Sequence, residues 1–562
     1  MPTPSIGALA RRWQSLLAER SQREPEWQAI IELIVPHKRQ WRPDQMRAQG
    51  EKATRRLFDS TAIHAHKLLA ASLHGTLTPS TQPWLSLTMR DDALNELQPV
   101  KEWLEDTATR LHKALRQSNF NNAVHEMYLD LTSFATGCLF VEEKAPVATG
   151  QFAGFRFRAF GIGEYAIAQS WENRVDTLFR KVKLTARACL QNPAWTPSSR
   201  VTALAESKPD AWVDIVHAVF PRTDRTVTSK RASQMPWASV YFELETKHKL
   251  AEGGFEEFPY MVPRWNLTSG EDYGDGPSHT ALPDVESINA AKEWILKSLP
   301  LAIQPPTVER DDAVLNEPDL TPAGRNVISG TGPVGDLFAF MDTKFRPDVA
   351  NFTLNDLRAG IRDMYFSQQL ELQDGPQMTA TEVQVRYELM QRLLGPTVGR
   401  LETEFLNPLV ERCFAIMARA NALKELPAEL AQLGAGADLD IEYEGPLARA
   451  QRTIELTAQD RVLGFALQLA TVGHPEIFDD LDLSKMLRAR AAVTGLPTDQ
   501  LRDPDMVKLI QAERARQQAQ QDELAQGATI AKAAGDAAPG IRELNAMATQ
   551  GRPSSPALAR PA

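Results

Sequence analysis

The sequence predicts a mainly α-helical chain with an α+β portion, built as an elongated multi-domain subunit. Three observations carry this. The chain has 562 residues, more than one ordinary hydrophobic core uses. From Asp348 to Leu423 it reads as helix, short loop, long helix, with Leu354, Leu357, Ile361, Met364 and Tyr365 spaced along one face. Between about Phe152 and Trp265 the apolar period changes to two: Phe155 and Phe157 alternate with Arg156 and Arg158.

Bulk properties narrow the class. Hydrophobic residues make up 43% and charged residues 24%, as in a folded globular protein. A net charge of −10 argues against a protein that holds nucleic acid tightly by its overall charge. Cys138, Cys189 and Cys413 stand singly, which suits buried thiols in a reducing compartment. No apolar run is long enough for a membrane span, and the N-terminus lacks a signal-peptide pattern.

Taken in order, residues from about Ile6 to Val35 are helical, restarted at Pro25 and ended at Pro36. The segment from His37 to Thr54, with Arg55 and Arg56, is polar and basic around Trp41. It reads as a solvated loop or subunit contact, with nucleic-acid contact as the alternative. A helix follows Asp59 or Ser60 as N-cap, with Ile63, Leu68, Leu69, Leu73 and Leu77 apolar. His64 and His66 point to different faces of it, which argues against a shared metal. Leu85 to Met89 is a short strand, and Pro99 to Leu115 and Val124 to Thr136 are helices. A strand begins after Gly137.

The period-two region forms an antiparallel sheet, interrupted by a helix near Thr185 to Leu190 and a helix or loop near Ser199 to Glu206. Gly253-Gly254 is expected to turn its last strand back. After the acidic loop from Thr268, Pro283 opens a helix to Leu299, stopped by Pro300, Pro305 and Pro306. Residues 301–346 read as short strands and turns. Gly330 to Gly335 formally matches GxGxxG, but Pro333 lies inside it and no βαβ unit surrounds it, so it reads as a turn.

Gln373-Asp374-Gly375-Pro376-Gln377 then separates the two central helices. The second covers roughly 44 residues, about 66 Å if straight. Gly395-Pro396 and Asn407-Pro408 should kink it. Asp438 to Glu444 is a strand. Further helices run from Leu447 to Val472, Asp479 to Thr494 and Pro504 to Gln526, and a mobile Ala/Gly/Pro/Ser-rich tail follows from 527.

No phosphate-binding loop, GxSxG, HExxH or cysteine nucleophile pattern is present, so no enzyme, cofactor or metal is expected.

Several phrases in order resemble the portal, or head-to-tail connector, proteins of T7-like short-tailed bacteriophages. They are Phe58-Asp-Ser-Thr with Leu77-Thr-Pro and Pro83-Trp84; Ser118-Asn-Phe before Gly137; Glu271-Asp-Tyr-Gly-Asp-Gly-Pro; Met378-Thr-Ala-Thr-Glu-Val; Leu394-Gly-Pro with Glu404-Phe-Leu-Asn-Pro-Leu-Val; and Tyr443-Glu-Gly-Pro-Leu-Ala-Arg-Ala-Gln-Arg. They span about Gln14 to Arg452.

The resemblance implies a portal-type subunit in a ring of about twelve at one capsid vertex, made in the host cytoplasm and carried in the virion. Double-stranded DNA would pass through the ring. Its partners would be the terminase packaging motor, major capsid and scaffold proteins and a tail adaptor. The regions implied are a helical wing, 1–150; an α+β wing, 151–265; a loop and first stem helix, 266–300; a clip, 301–346; a second stem helix, 347–371; a channel loop, 372–380; a long kinked wing helix, 381–424; C-terminal strand and crown, 425–526; and a tail, 527–562.

The residues this mapping gives to the channel lining are Arg346, Arg358, Arg362, Gln368, Gln369, Gln373, Asp374, Gln377 and Met378. Uncharged glutamines suit a wall that must not grip DNA. Arg358 and Arg362, one turn apart, face phosphate or an adjacent subunit, or else pair with carboxylates such as Asp356 and Asp363. The rival classes are a non-channel structural or adaptor protein of the virion and a DNA-packaging enzyme.

Overall fold

The computed structural model describes residues 4–38, 41, 57–80, 83–89, 91–144, 152–223, 231–310, 319–328, 338–340, 347–367, 394–428, 430, 441–444, 461–468, 486–488, 490–491, 502, 506–507 and 509–521. These residues are mainly helical, with small sheets. They fall into two compact units, residues 1–96 with 103–451 and residues 97–102 with 452–562.

Helix α1 (Ile6–Ser21) starts where the Ser5 hydroxyl accepts the Ala8 amide at 3.3 Å. Its buried stripe, Leu9, Trp13 and Leu16, packs on Phe179, Val216 and Val240 of a sheet. Helix α2 (Glu24–Leu33) carries Pro25 in its first turn, where a missing N–H costs nothing. Trp27 of α2 meets Trp41 edge-on, with ring centroids 6.1 Å apart. The Trp41 indole donates to Gln28 Oε1 at 2.8 Å. Trp41 is therefore an anchor of the chain's own core, and its basic sequence neighbours from Arg42 to Arg56 lie outside the described residues.

Helices α3 (Thr61–Leu77) and α6 (Phe120–Phe134) pack together. Strand β1 (Ser86–Met89) and helices α4 (Asp92–Glu96) and α5 (Gln98–Gln117) lie between them in sequence. Strand β2 (Leu139–Glu143) pairs antiparallel with both β3 (Phe155–Ala159) and β9 (Tyr260–Met261). In β3 the two phenylalanines are buried and Arg156 and Arg158 exposed, the expected alternation.

A second sheet is an antiparallel meander of β4 (Tyr165–Gln169), β5 (Val175–Thr185), β6 (Trp212–Pro221), β7 (Trp237–Glu243) and β8 (Lys249–Phe255). Helices α7 (Ala186–Gln191) and α8 (Ser199–Ser207) are capped by Thr185 and Ser198. They bury Cys189 and Val201 against Ile215 and Leu250.

Gly253 and Gly254 do not reverse the chain; both lie within β8. The reversal comes earlier, where Lys247 takes φ 52°. Glycine is needed at 254 because a Cβ there would stand 2.3 Å from the Ala232 carbonyl oxygen.

Helix α9 (Pro277–Ile303) also corrects the sequence reading: it opens at Pro277, and Pro283 and Pro300 lie inside it. Pro277 occupies the first helical position, where its fixed φ favours initiation. The small sheet that follows is β11 (Arg325–Ile328), β10 (Thr307–Arg310) and β12 (Phe338–Phe340) in that order. Strand β10 runs parallel to β11 and antiparallel to β12. The GxGxxG segment lies outside the described residues.

Helix α10 (Pro347–Met364) packs against α9. Phe366, at φ 57°, interrupts it before Glu371 is reached. Residues 394–401 are helical through Pro396. A π-turn (Glu402–Leu406) then leads into α11 (Asn407–Arg419). Pro408 has no N–H to give the Glu404 carbonyl, and the π-turn lets the Asn407 amide bond Glu402 O instead. Strand β13 (Ile441–Glu444) pairs antiparallel with β1. Among the described residues of the second unit after 452, those at 461–468, 486–488, 490–491 and over most of 506–521 are helical.

Candidate functional site

The joint between α9 and α10 draws side chains from several parts of the first unit together. The two helices run antiparallel. Ser278, near the start of α9, hydrogen-bonds the Tyr365 hydroxyl at 2.7 Å just past the end of α10. The same Ser278 hydroxyl approaches Thr132 O of α6 at 2.7 Å. Ala281, Val285 and Ile288 of α9 and Leu354 and Ile361 of α10 are buried.

Asp59 ties both helices to the segment before α3. Its Oδ2 accepts from Arg358 Nη2 at 3.0 Å and Nε at 3.2 Å, and from Lys292 Nζ at 3.3 Å. Its Oδ1 accepts the Thr61 amide at 2.9 Å, and the Phe58 amide donates to Asn289 Oδ1 of α9 at 2.8 Å. Burial alone would raise the Asp59 pKa. Hydrogen bonds from Thr61 and Arg358, with the Lys292 charge, outweigh it and hold the carboxyl at about 2.

A second hub lies at the π-turn. The Arg264 side chain is wholly buried and binds Glu404 through Nη2–Oε1 at 2.9 Å and Nε–Oε2 at 3.2 Å. It also donates to Gln169 Oε1 at 2.9 Å and to Asn173 O at 2.5 Å. Glu257 is clamped nearby by Arg412 at 3.2 Å and Arg419 at 2.5 Å. A cavity of about 450 Å³ lies beside this hub, with Glu172, Asp176, Trp237, Tyr260, Glu404 and Glu411 in its wall.

Of the nine residues given to the channel lining, the structure describes two. Arg358 is partly exposed and bound to Asp59; Arg362, one turn on, is exposed. Arg346, Gln368, Gln369, Gln373, Asp374, Gln377 and Met378 lie outside the described residues.

His64 is exposed while His66 is buried against Ser133 Oγ at 2.8 Å, so these two face apart as expected. Among the described residues no group of three or more His, Cys, Asp or Glu is arranged to hold a metal. Cys138, Cys189 and Cys413 are free and buried. No described helix is long and apolar enough to cross a membrane.

Sequence reasoning proposed Asp59 as a helix cap but missed it as an ion-pair hub, and missed Arg264 and Glu404. An arginine following Met261-Val-Pro and a glutamate preceding Phe405-Leu406 were the available signals: lone charges beside apolar residues.

Comparison with known proteins places the chain in the class of phage structural connectors. The chain belongs to the bacteriophage head to tail connecting protein family, whose sequence model matches residues 7–501. It is 30% identical over 518 residues to a probable portal protein of Bordetella phage BPP-1, covering 91% of each chain. It is 28% identical over 539 residues to the portal protein of Salmonella phage epsilon15, covering 94% of each. A chain in the neck of an empty gene transfer agent particle aligns over 78% of this chain and 96% of its own, at 12% identity and TM-score 0.35. One in the virion of the native particle aligns over 74% and 91%, at 12% identity and TM-score 0.34.

Proposed function

We propose that the chain is a phage portal subunit: one of about twelve copies closed into a ring at a capsid vertex, around a channel for genomic double-stranded DNA. The observation that carries this, beside membership of the connector family, is the antiparallel pair α9 and α10 with a three-stranded sheet built from the chain between them. In this reading α9 and α10 are the stem, β10 to β12 the clip, residues 372–380 the channel loop, and the helical residues after 452 the crown. The partners of such a ring are the terminase motor, the scaffold and major capsid proteins and a tail adaptor. Its work is that of a conduit, not of an enzyme.

The charge arrangement suits such a conduit. Asp59 neutralises Arg358, which leaves Arg362 and, outside the described residues, Arg346 to meet phosphate. An acidic subunit whose ring carries only a few basic groups would guide a polyanion without trapping it. Gln368, Gln369, Gln373, Asp374, Gln377 and Met378 complete the lining.

Electron microscopy of the purified chain, with scaffold protein added, tests the ring. Closed rings with a bore wide enough for duplex DNA are expected, and a persistent monomer or dimer overturns the reading. Arg362→Glu is expected to reduce packaged DNA in assembled particles while rings still form; unchanged packaging removes Arg362 from the channel.

A further inference from the structure

Trp171 stands at the tip of the β4–β5 hairpin and is 89% exposed. The tip that carries it is held firmly. The Ser170 amide donates to Arg174 O at 2.7 Å and the Asn173 amide to Ser170 O at 3.0 Å. Buried Arg264 grips both arms of the turn, through Gln169 Oε1 and Asn173 O. A tryptophan on a fixed mount loses little freedom when a partner covers it, so it suits the anchor of an interface.

The residues on either side of it, Ser170 and Glu172, belong to the wall of the cavity of about 450 Å³. One part of that wall is aromatic. Trp237 and Phe258 have ring centroids 4.8 Å apart, and Phe258 and Tyr260 5.9 Å. Trp237 and Phe258 are only half-buried, so their faces remain open to a ligand.

The polar part of the wall is mostly acidic. Among the described residues it holds five carboxylates and one cation, Arg174. Glu257 and Glu404 are already matched by arginines that lie outside the wall. Glu172 and Asp176 form no salt bridge among the described residues; Asp176 accepts from the Thr177 hydroxyl at 2.8 Å. Burial raises the Asp176 pKa, and the Thr177 hydrogen bond and the Arg12 charge offset this only in part. A cation brought into the cavity would stabilise the ionised carboxylate. Aromatic faces beside unmatched carboxylates suit one ligand chemistry, a basic side chain whose stem and charge both meet a ring. The same carboxylates would repel a phosphate backbone.

We infer that this cavity receives an arginine or lysine side chain of another polypeptide, with Trp171 packed on an apolar residue next to that cation. The inference does not depend on the portal reading.

Fluorescence anisotropy with the full-length chain tests it. The probes are the acetylated tripeptides Leu-Arg-Leu, Leu-Lys-Leu, Leu-Gln-Leu and Leu-Glu-Leu, each with a C-terminal fluorescein. The arginine or lysine probe should bind about tenfold more tightly than the glutamine probe, and the glutamate probe should bind least. Asp176→Asn should remove most of that preference. Trp171→Ala should weaken the basic and glutamine probes alike. Equal binding of basic and glutamine probes, or no binding of either, overturns the inference, as does a preference that survives both Asp176→Asn and Glu172→Gln. Binding that falls as the wild-type chain is concentrated would mean that a second copy fills the cavity, and also overturns it. Melting curves check that the variants fold; if Asp176→Asn does not, Glu172→Gln, at an exposed side chain, gives the same reading.

Discussion

Arg264 and Glu404, 140 residues apart, form a buried two-pronged ion pair that joins the sheet to the π-turn. The Arg264 backbone N–H also donates to Glu404 Oε2, at 3.0 Å. Removing Glu404 leaves the buried Arg264 charge with neutral acceptors only, Gln169 Oε1 and backbone carbonyls. Glu404→Ala should therefore destabilise the first unit by about 3–5 kcal/mol. Urea denaturation read by tryptophan fluorescence measures this, and a loss below about 1 kcal/mol would show that water reaches the arginine.

Asp59 sets an acid limit at the α9–α10 joint. Its folded pKa of about 2 lies below its usual 3.8. The unfolded chain thus binds the proton more readily, and the stabilisation is present above pH 4 and lost as pH falls through 2. The shift corresponds to about 2 kcal/mol. Asp59→Asn should cost about that much at pH 7 and little near pH 2. An equal cost at both pH values would tie the loss to packing, not charge.

Two buried histidines act in a different window. Burial in the α3–α6 interface lowers the His66 pKa to about 4 from 6.5. His217, held by Tyr260 Oη at 2.8 Å and Ser239 Oγ at 2.9 Å, is also depressed, first by burial and then by the Arg180 charge. Both are neutral when folded, so their contribution is complete above pH 6.5 and declines as pH falls. His66 alone accounts for about 3 kcal/mol between pH 6.5 and 4. Comparing the wild type with His66→Gln by melting at pH 7.0 and 5.0 checks it: the wild type should lose more stability over that step.

Gly163 lies under Trp41. A Cβ there would come within 2.0 Å of the Trp41 carbonyl oxygen and 2.8 Å of its ring. Gly163→Ala should cost about 1–3 kcal/mol through overpacking. Gly253→Ala, where a Cβ meets nothing within 4 Å, is the control and should change the melting temperature far less.

Local chemistry explains what was legible in the sequence. Apolar spacing located α1, α2, α3 and α6, and alternation located β3, because each writes its burial into neighbouring residues. Pro283 misled because a proline signals a helix start most strongly, yet here Pro277 does that and Pro283 is carried within. Gly253-Gly254 misled because the glycine at 254 answers a close approach by Ala232, from a distant part of the chain. The hubs at Asp59 and Arg264 could not be found by spacing, since partners 299 and 140 residues away share no local pattern. Arg358, one of the residues given to the lining by resemblance, is paired with Asp59, a partner 299 residues away that spacing could not suggest.

The π-turn makes the length of its segment a counted quantity. It holds one residue more than an α-turn would, and one residue is about 100° of helical phase. The face shown by residues 394–401 is thus set out of step with the face of α11 by that angle. Substitutions between Leu401 and Asn407 leave this phase intact, whereas deleting a single residue there would swing every upstream side chain to another side and draw Glu404 away from Arg264. Among relatives, the segment should vary in letters and not in length.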